Sequence, residues 1–348
     1  AGSDHGQLSA CFVLPIEDSM PGIFDAVKNM ALIQKTGGGT GFPFDKLRES
    51  GSPVGTKNGV ASGPISFMEI FNMTTEAVKQ GGERRGASMG CMAIDHPDIE
   101  AFITCKDVCD PCEECSTPPP FSNFNISVKL TDKFMEAVEN DTDFCLISRK
   151  DGSVVKRVNA RELFDKICYQ AWKNGEPGIL FIDEINRKHS VPGLGLIESS
   201  NPCGEAVLLP NEVCVLGTIN LVAHVENGNM DFNKLDKSIA VLVRMLDNMI
   251  DVSCYPLPQI TEAAQKTRKI GMGVMGLADA LILLELPYDS KEGIQYAEHL
   301  AQFINEAALR ASVKLAEERD TFPAVGESIY ADWKFPPRNA TRTTIAPT

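Results

Sequence analysis

Apolar residues follow two different periods along this 348-residue chain, and each period predicts a different secondary structure. Short apolar runs predict buried strands, whereas apolar residues that recur every three or four positions predict amphipathic helices. The strands are expected at residues 8–14, 89–94, 121–130, 178–183, 270–274 and from 338 onward. The helices are expected at 22–34, 66–80, 97–103, 131–139, 160–172, 235–252, 277–284 and 291–319. Strands that alternate with helices predict an α/β fold.

Local signals refine two of these elements and add a hairpin. The Asp-Ser pair at 18–19 is suited to cap the first helix, because short polar side chains accept hydrogen bonds from first-turn amides. Asp151-Gly152 predicts a tight β-hairpin of residues 144–149 and 153–158. Residues 178–183 are apolar almost without interruption, which is typical of a strand covered on both faces.

The composition excludes several classes of protein. A hydrophobic content of 43% is ample for a sizeable core, and the net charge of -14 argues against binding to nucleic acid or to a membrane surface. No stretch reaches the roughly 18 apolar residues needed to cross a bilayer. The first residues do not have the pattern of a signal peptide, which needs a charged segment followed by an apolar run.

The cysteines point to a reducing compartment, and therefore to the cytoplasm. There are eleven, an odd number, in a long chain without a secretion signal. Four of them lie in apolar or amphipathic contexts and are expected to be packing residues, as free cysteines commonly are. These four are Cys91, Cys145, Cys168 and Cys254.

The stretch 201–221 carries the densest candidate chemistry. Asn201, Cys203 and Glu205 occupy alternate positions, and Cys214 follows eleven residues after Cys203. In an extended segment, residues two apart point the same way, so the amide, thiol and carboxylate could converge on one small substrate. The Pro and Gly between them can hold a tight backbone. The alternative is a buried loop whose two cysteines only pack.

A second group of thiols lies in an insertion at residues 104–120. Cys105, Cys109, Cys112 and Cys115 have the spacing Cys-x3-Cys-x2-Cys-x2-Cys, and four thiols so close together are typical of a zinc or iron–sulfur site. The alternative is a Cys-rich loop that acts as a thiol relay.

Eight motifs give the chain a family resemblance, because they occur together and in order. They are Ser9-Ala-Cys-Phe-Val, Lys35-Thr-Gly-Gly-Gly-Thr-Gly-Phe, Gly63-Pro-Ile-Ser-Phe-Met, Gly81-Gly-Glu-Arg-Arg-Gly-Ala, Asn123-Phe-Asn-Ile-Ser-Val, Asn201-Pro-Cys-Gly-Glu, Leu216-Gly-Thr-Ile-Asn-Leu and Gly271-Met-Gly-Val-Met-Gly-Leu-Ala-Asp. Together they resemble the catalytic chain of a ribonucleotide reductase, and most closely the adenosylcobalamin-dependent (class II) type.

The resemblance implies the fold and its boundaries. It implies a ten-stranded α/β barrel of the ribonucleotide reductase and glycyl radical enzyme type, built from two half-sheets. Residues 1–348 would form a single catalytic barrel domain, with 195–215 as a finger loop inside it. Relative to the family pattern, the barrel is expected to be incomplete at the C-terminus and poorly active by itself. Helices 22–34 and 66–80 would form the face of a homodimer.

The resemblance also implies a role for each residue of the central constellation. Cys203 resembles the thiyl radical that abstracts the ribose 3′ hydrogen, Glu205 the base at the 3′ hydroxyl, and Asn201 the amide that holds the ribose hydroxyls. Cys11 and Cys214 resemble the pair that reduces the 2′ position and ends as a disulfide. The implied substrate-binding residues are Ala10, Cys11, Gly37, Asn201, Pro202, Cys203, Gly204 and Glu205.

The implied partners are nucleotides and a reductant. The substrate would be a ribonucleoside diphosphate, the cofactor adenosylcobalamin, and the reductant a thioredoxin- or glutaredoxin-type protein. Deoxynucleoside triphosphates or ATP would act as effectors, held by Asp18, Ser19 and Arg48, with Arg84 and Arg85 in the loop that relays effector identity. Without the family, a basic loop is more often only solvated.

Other interpretations remain. The glycine turn 35–41 could line a nucleotide with its amides or only end a helix. The chain could be a class I large subunit that needs a radical-generating partner, or a non-catalytic nucleotide- or metal-sensing remnant, although a decayed copy should have lost part of the constellation. The glycines of 271–276 mimic a dinucleotide fingerprint, but close strand–helix packing is the favoured interpretation.

Overall fold

A computed structural model describes residues 6–54, 59–78, 86–107 and 120–345. The chain divides into two compact units. Unit I comprises Cys11–His189 and Leu196–Asn211, and unit II comprises Ala1–Ala10, Ser190–Gly195 and Glu212–Thr348. Among the described residues, no helix is long and apolar enough to cross a membrane.

Unit I alternates strands and helices, as its sequence pattern predicts. Its strands are β1 (Cys11–Val13), β2 (Gly39–Pro43), β3 (Pro53–Val54), β4 (Gly59–Val60), β5 (Ser88–Ala93), β6 (Phe124–Leu130), β7 (Asp143–Ile147), β8 (Val154–Asn159), β9 (Gly178–Phe181), β10 (Ser199–Ser200) and β11 (Val207–Leu208). Its α-helices are α1 (Met20–Gln34), α2 (Pro64–Ala77), α3 (Ile99–Thr104), α4 (Asp132–Glu139), α5 (Ala160–Asn174) and α6 (Ile182–Arg187).

Five strands of unit I form a parallel sheet in the order β1-β2-β5-β6-β9. Parallel neighbours need long crossover connections, which the intervening helices supply. On one face Phe42 of β2 packs against Phe71 of α2, with ring centroids 5.0 Å apart, and Phe44 extends this cluster to Phe124 of β6. The preceding residue of β2, Gly41, lies on the opposite face, which is left open for another segment.

Unit II contains the two longest helices of the described residues, α7 with 21 residues and α10 with 29. Its strands are β12 (Val213–Asn220), β13 (Val225–Glu226), β14 (Asn229–Met230) and β15 (Ile270–Met275). Its α-helices are α7 (Phe232–Val252), α8 (Pro258–Thr267), α9 (Leu277–Leu283) and α10 (Lys291–Arg319). β12 and β15 are parallel, with Leu216 opposite Gly271. Thr343 makes a parallel bridge to Met272, so the β-branched tail extends beside β15.

Most local predictions are confirmed. α10 has the predicted bounds, the hairpin of β7 and β8 forms, and the Ser19 side chain caps α1 by accepting a hydrogen bond from the amide of Gly22. The 271–276 glycines do allow close packing, because a Cβ on Gly271 would lie 2.7 Å from Leu216 Cδ2. That neighbour belongs to strand β12, so the predicted strand–helix packing is wrong at Gly271.

Three predictions about burial and boundaries are wrong, and one helix was not predicted. The apolar run at 178–183 is not covered on both faces: β9 lies at the edge of the unit I sheet, and Phe181 is 53% exposed. The strand is followed directly by α6, which begins at Ile182, and the apolar pattern gave no sign of this boundary. Cys168 and Cys254 are exposed, so they are not core residues. α8 was missed, although Pro258 at its first turn is a recognisable start signal.

Candidate active site

A short hairpin carries the central motif. β10 and β11 pair antiparallel, Ser199 with Leu208 and Ser200 with Val207. Between them the amide of Gly204 donates to the carbonyl of Asn201 at 3.0 Å, which closes a four-residue turn. Gly204 has φ +84°, a left-handed conformation that suits glycine. The prediction of an extended segment with alternating side chains is therefore wrong, whereas the tight backbone expected of the Pro and Gly is confirmed.

The hairpin lies against the open face of the unit I sheet. Ser199 Oγ donates to Cys91 Sγ of β5 at 3.4 Å, and the Asn125 side chain of β6 donates to the carbonyl of Pro202 at 2.6 Å. Gly41 of β2 meets the hairpin backbone so closely that a Cβ there would lie 1.7 Å from the Ser200 oxygen. Sequence reasoning assigned no role to these contacts, although Gly41 and Asn125 fall inside the motifs that carry the resemblance.

The hairpin brings three of the predicted residues together. Cys11 of β1 is buried, and its Sγ donates to Glu205 Oε1 at 3.2 Å. Asn201 Nδ2 donates to the same sulfur at 3.1 Å, and Asn201 Oδ1 accepts from the amide of Ala206 at 3.1 Å, which orients the Asn201 side chain. Cys203 lies exposed in the turn beside them. A thiol, a carboxylate and an amide thus share one small region, with a second, accessible thiol close by in sequence.

Cys214 belongs to unit II. It is buried in β12, and a Cβ on Gly271 of β15 would lie 3.0 Å from its Sγ. The start of β12 is held by a buried ion pair, Glu212 Oε2 to Lys269 Nζ at 2.6 Å. Since Cys11 lies in unit I, the pairing of the two thiols stays a prediction.

The glycine turn after α1 is a helix terminus. The amide of Gly37 donates to the carbonyl of Gln34 at 3.0 Å, and the amide of Gly38 to that of Ile33 at 3.2 Å. These amides are therefore engaged with α1, which confirms the interpretation as a helix end. No atom lies within 4 Å of the position a Cβ on Gly37 would take, so space for a ligand remains beside it. Ala10, also expected near substrate, is exposed in unit II.

The predicted effector residues line a cavity of about 540 Å³ in unit I. Arg48 Nε donates to Asp18 Oδ2 at 2.7 Å, and Ser19 caps α1 at the wall, so the positive end of the helix dipole faces the cavity. Arg84 and Arg85 lie outside the described residues. The cavity is lined by Asp18, Ser19, Met20, Ile23, Leu47, Arg48, Val54, Gly59, Val60, Ala61, Ser62 and Phe67.

Buried partners hold the cavity wall that carries Arg48. His96 is fully buried and its Nε2 donates to the carbonyl of Leu47 at 3.0 Å, while its Nδ1 accepts from the amide of Asp98. Burial lowers the pKa of His96, which keeps the imidazole neutral and suited to this pair of bonds. Glu49 accepts from Ser148 Oγ at 2.7 Å. The sequence contained no periodic signal for this network.

The cysteine cluster can be placed only in part. Cys105 follows α3, and burial raises the pKa of its thiol to about 12. Cys109, Cys112 and Cys115 lie outside the described residues. Within the described ranges, no group of three or more His, Cys, Asp or Glu side chains could hold a metal ion. The zinc or iron–sulfur site therefore stays a prediction.

Comparison with known proteins identifies the class. The profile of the family described as "Ribonucleotide reductase, barrel domain" matches residues 9–345, so the chain belongs to that family. The match extends over residues of both units and includes the whole hairpin constellation.

Individual relatives narrow the comparison. The chain is 50% identical over 349 residues to the vitamin B12-dependent ribonucleoside-diphosphate reductase of Thermoplasma acidophilum, covering 100% of this chain and 44% of the relative. It is 47% identical over 348 residues to the protein of the same name from Mycobacterium tuberculosis, covering 100% and 49%. Identity to the ribonucleoside-diphosphate reductase subunit alpha of Chlamydia trachomatis is 31%, over 92% of this chain and 33% of the relative. The chain thus spans about half the length of its two more similar relatives.

Proposed function

We propose that this chain carries the catalytic centre for reduction of ribonucleotides to 2′-deoxyribonucleotides by a thiyl radical. The observation that carries the proposal is the set formed by Cys11, Asn201 and Glu205 beside Cys203, in a chain of the reductase barrel family. The names of the B12-dependent relatives favour a ribonucleoside diphosphate as substrate.

Each residue of the set has chemistry that fits a step. The Cys203 thiyl removes the ribose 3′ hydrogen and later returns it, while Glu205 takes the proton of the 3′ hydroxyl. The 2′ hydroxyl leaves as water with a proton from a thiol, and Cys11 and Cys214 supply two electrons as they form a disulfide. One ribonucleotide and two thiols thus give one deoxyribonucleotide, one disulfide and one water. A thioredoxin- or glutaredoxin-type protein would then reduce the disulfide.

The radical source is proposed from the relatives. Adenosylcobalamin, when bound, would supply the radical that converts the Cys203 thiol to a thiyl. The exposure of Cys203 in its turn fits this requirement, because an external group can reach the sulfur. The identities of 50% and 47% to B12-dependent proteins, against 31% to a subunit alpha, favour this source over a radical-generating partner subunit.

An anaerobic assay tests the proposed function. A protein that contains this chain and has the full length of the relatives is incubated with a ribonucleoside diphosphate and a dithiol, with and without adenosylcobalamin. Deoxynucleotide formed only with the cofactor would support the proposal. Reduction that requires an iron or manganese partner subunit would assign the chain to class I, and no reduction under either condition would favour a non-catalytic nucleotide-sensing remnant.

Replacing Glu205 by Gln should lower kcat by about 100- to 1,000-fold while KM changes little, because the amide keeps the shape but cannot take a proton. The measurement is steady-state reduction of a ribonucleoside diphosphate. Exposed Glu318 of α10, which pairs with Arg244, is the matched control: Glu318→Gln should leave kcat unchanged. If Glu205→Gln had the kcat of the wild type, the Glu205 carboxylate would not be the base of the proposed mechanism.

We further propose that the unit I cavity binds a deoxynucleoside triphosphate or ATP as effector. Support comes from its volume of about 540 Å³, which has room for a nucleotide, and from the partly buried Arg48 and the N-terminus of α1, which both suit a phosphate group. Arg84 and Arg85 would relay effector identity to the substrate. The first turns of α1 expose Met20 and Phe24, and α2 exposes Met73, which supports a homodimer through these helices.

Replacing Arg48 by Ala should weaken binding of a deoxynucleoside triphosphate about tenfold or more, because a charge-assisted hydrogen bond to phosphate is lost. Isothermal titration calorimetry measures the affinity directly. Arg157→Ala on the exposed hairpin of β7 and β8 serves as the charge-matched control and should bind normally. Equal affinities for the Arg48→Ala and wild-type proteins would place the effector elsewhere.

The remaining structural and cellular assignments are proposals based on the family. We propose that the chain is part of a single barrel domain with ten strands in two half-sheets, and that residues 195–215 form a finger loop inside it. We also propose a cytoplasmic location. The parallel sheet of unit I and the hairpin that covers one of its faces support the barrel.

A further inference from the structure

The peptide bond directly before Cys203 is held from the sheet. Asn125 Nδ2 of β6 donates to the carbonyl oxygen of Pro202 at 2.6 Å. Pro202 and Cys203 are the two central residues of the turn that the Asn201–Gly204 hydrogen bond closes. In such a turn the first carbonyl is used for closure, whereas the carbonyl of the second residue points away and needs a partner outside. Asn125 supplies that partner.

The position of Asn125 makes it a firm support. β6 pairs with β5 over six residues, including Asn125 opposite Met89, and with β9 over the four residues from Ser127 to Leu130, so the strand that carries Asn125 is fixed in the sheet. Its neighbours Phe124 and Ile126 are buried on one face of the strand, whereas the Asn125 side chain lies on the other face, beside the hairpin, and keeps an exposed surface. The side chain is short, so few rotamers compete with the one that meets Pro202.

The other hairpin contacts act further from the radical residue. Ser199–Cys91 and Gly41–Ser200 support the base of the hairpin, whereas the Asn201 amide nitrogen and the Glu205 carboxylate bond to Cys11. The Asn125 bond instead reaches the peptide that Cys203 itself shares. A shift of the Pro202 carbonyl therefore moves the Cys203 Cα directly.

We propose that Asn125 is a positioning residue for the Cys203 radical: its amide holds the turn so that the sulfur meets the substrate hydrogen at reacting distance. This inference rests on the proposed function. Hydrogen abstraction depends steeply on geometry, and a displacement of about 1 Å in a reacting group costs about 100-fold in rate. A residue that only positions the sulfur changes kcat and leaves substrate affinity largely intact.

The sharpest variant is Asn125→Asp. It keeps the size and shape of the side chain but replaces the donor by an oxygen, which repels the Pro202 carbonyl. Because Asn125 is exposed, the substitution does not threaten the core. Asn229→Asp is the matched control, since Asn229 is also exposed and donates to a backbone carbonyl, that of Asn227, at 3.1 Å in unit II.

Two measurements, made on a protein with the full length of the relatives, test whether Asn125 positions Cys203. In steady-state ribonucleotide reduction, Asn125→Asp should lower kcat about 10- to 100-fold with KM within about threefold of wild type. In hydrogen exchange without substrate or cofactor, the Gly204 amide, which closes the turn, should exchange about tenfold faster. The hairpin base at 199–200 and 207–208, and the Asn229→Asp control in both assays, should match wild type.

The outcomes separate this inference from the proposed function. Unchanged kcat and unchanged Gly204 exchange in Asn125→Asp would overturn the positioning role. A raised KM at constant kcat would overturn it too, because Asn125 would then bind substrate. If the wild-type protein reduces no ribonucleotide, the proposed function fails together with the catalytic part of this inference. The exchange result would still decide whether Asn125 holds the turn.

Discussion

Cys203→Ser is expected to abolish ribonucleotide reduction, with kcat at least about 10⁴-fold below wild type. Serine has nearly the same shape, but its O–H bond is much stronger than the S–H bond of cysteine. An alcohol at this position therefore cannot be converted into the radical that removes the substrate hydrogen. Because Cys203 lies exposed in a turn, the fold should persist, and effector binding to the unit I cavity should be normal. Anaerobic turnover measures the loss.

The control for this prediction is Cys168→Ser. Cys168 is also exposed and lies on α5, so the same chemical change is made away from the hairpin. It should retain wild-type turnover. Measurable multiple turnover in Cys203→Ser, at more than about one thousandth of the wild-type rate, would exclude Cys203 as the radical residue.

Gly41→Ala is expected to have the largest effect on structure. A Cβ would lie 1.7 Å from the carbonyl oxygen of Ser200 and 2.8 Å from its carbon, so a backbone segment would have to move. Overpacking against a side chain costs about 1–3 kcal/mol, and a clash with paired backbone should reach or exceed about 3 kcal/mol. Urea denaturation should show this loss in the free energy of unfolding. If the hairpin shifts instead, kcat should fall about 100-fold or more, because the hairpin carries Cys203.

Gly326→Ala provides the matched test, since no atom lies within 4 Å of a Cβ there and its φ is outside the left-handed region. That variant should match wild type in stability and turnover. A Gly41→Ala protein with wild-type stability and kcat would show that the hairpin does not rest on β2 as described.

The apolar pattern of the sequence records only relations between residues a few positions apart, and this limit explains which parts of the fold could be predicted. α10 and the β7–β8 hairpin follow from local signals, namely helical periodicity and an Asp-Gly turn pair. The prediction for β9 failed because the short apolar run at 178–182 cannot distinguish a strand covered on both faces from an edge strand that continues into α6. Whether a strand is central or at an edge depends on its neighbours in the sheet, which periodicity does not encode.

The sequence by itself determined the alternation of strands and helices, the order of the motifs and the residue types of the constellation, because these depend on neighbours a few positions apart. Only the tertiary structure decided that the motif at 201–205 turns back on itself, that Cys11 meets Asn201 and Glu205 from 190 or more positions away, and that Asn125 supports the turn. Such contacts form when a sheet brings distant strands side by side. The local hydrophobic periodicity does not indicate which distant residues will come into contact.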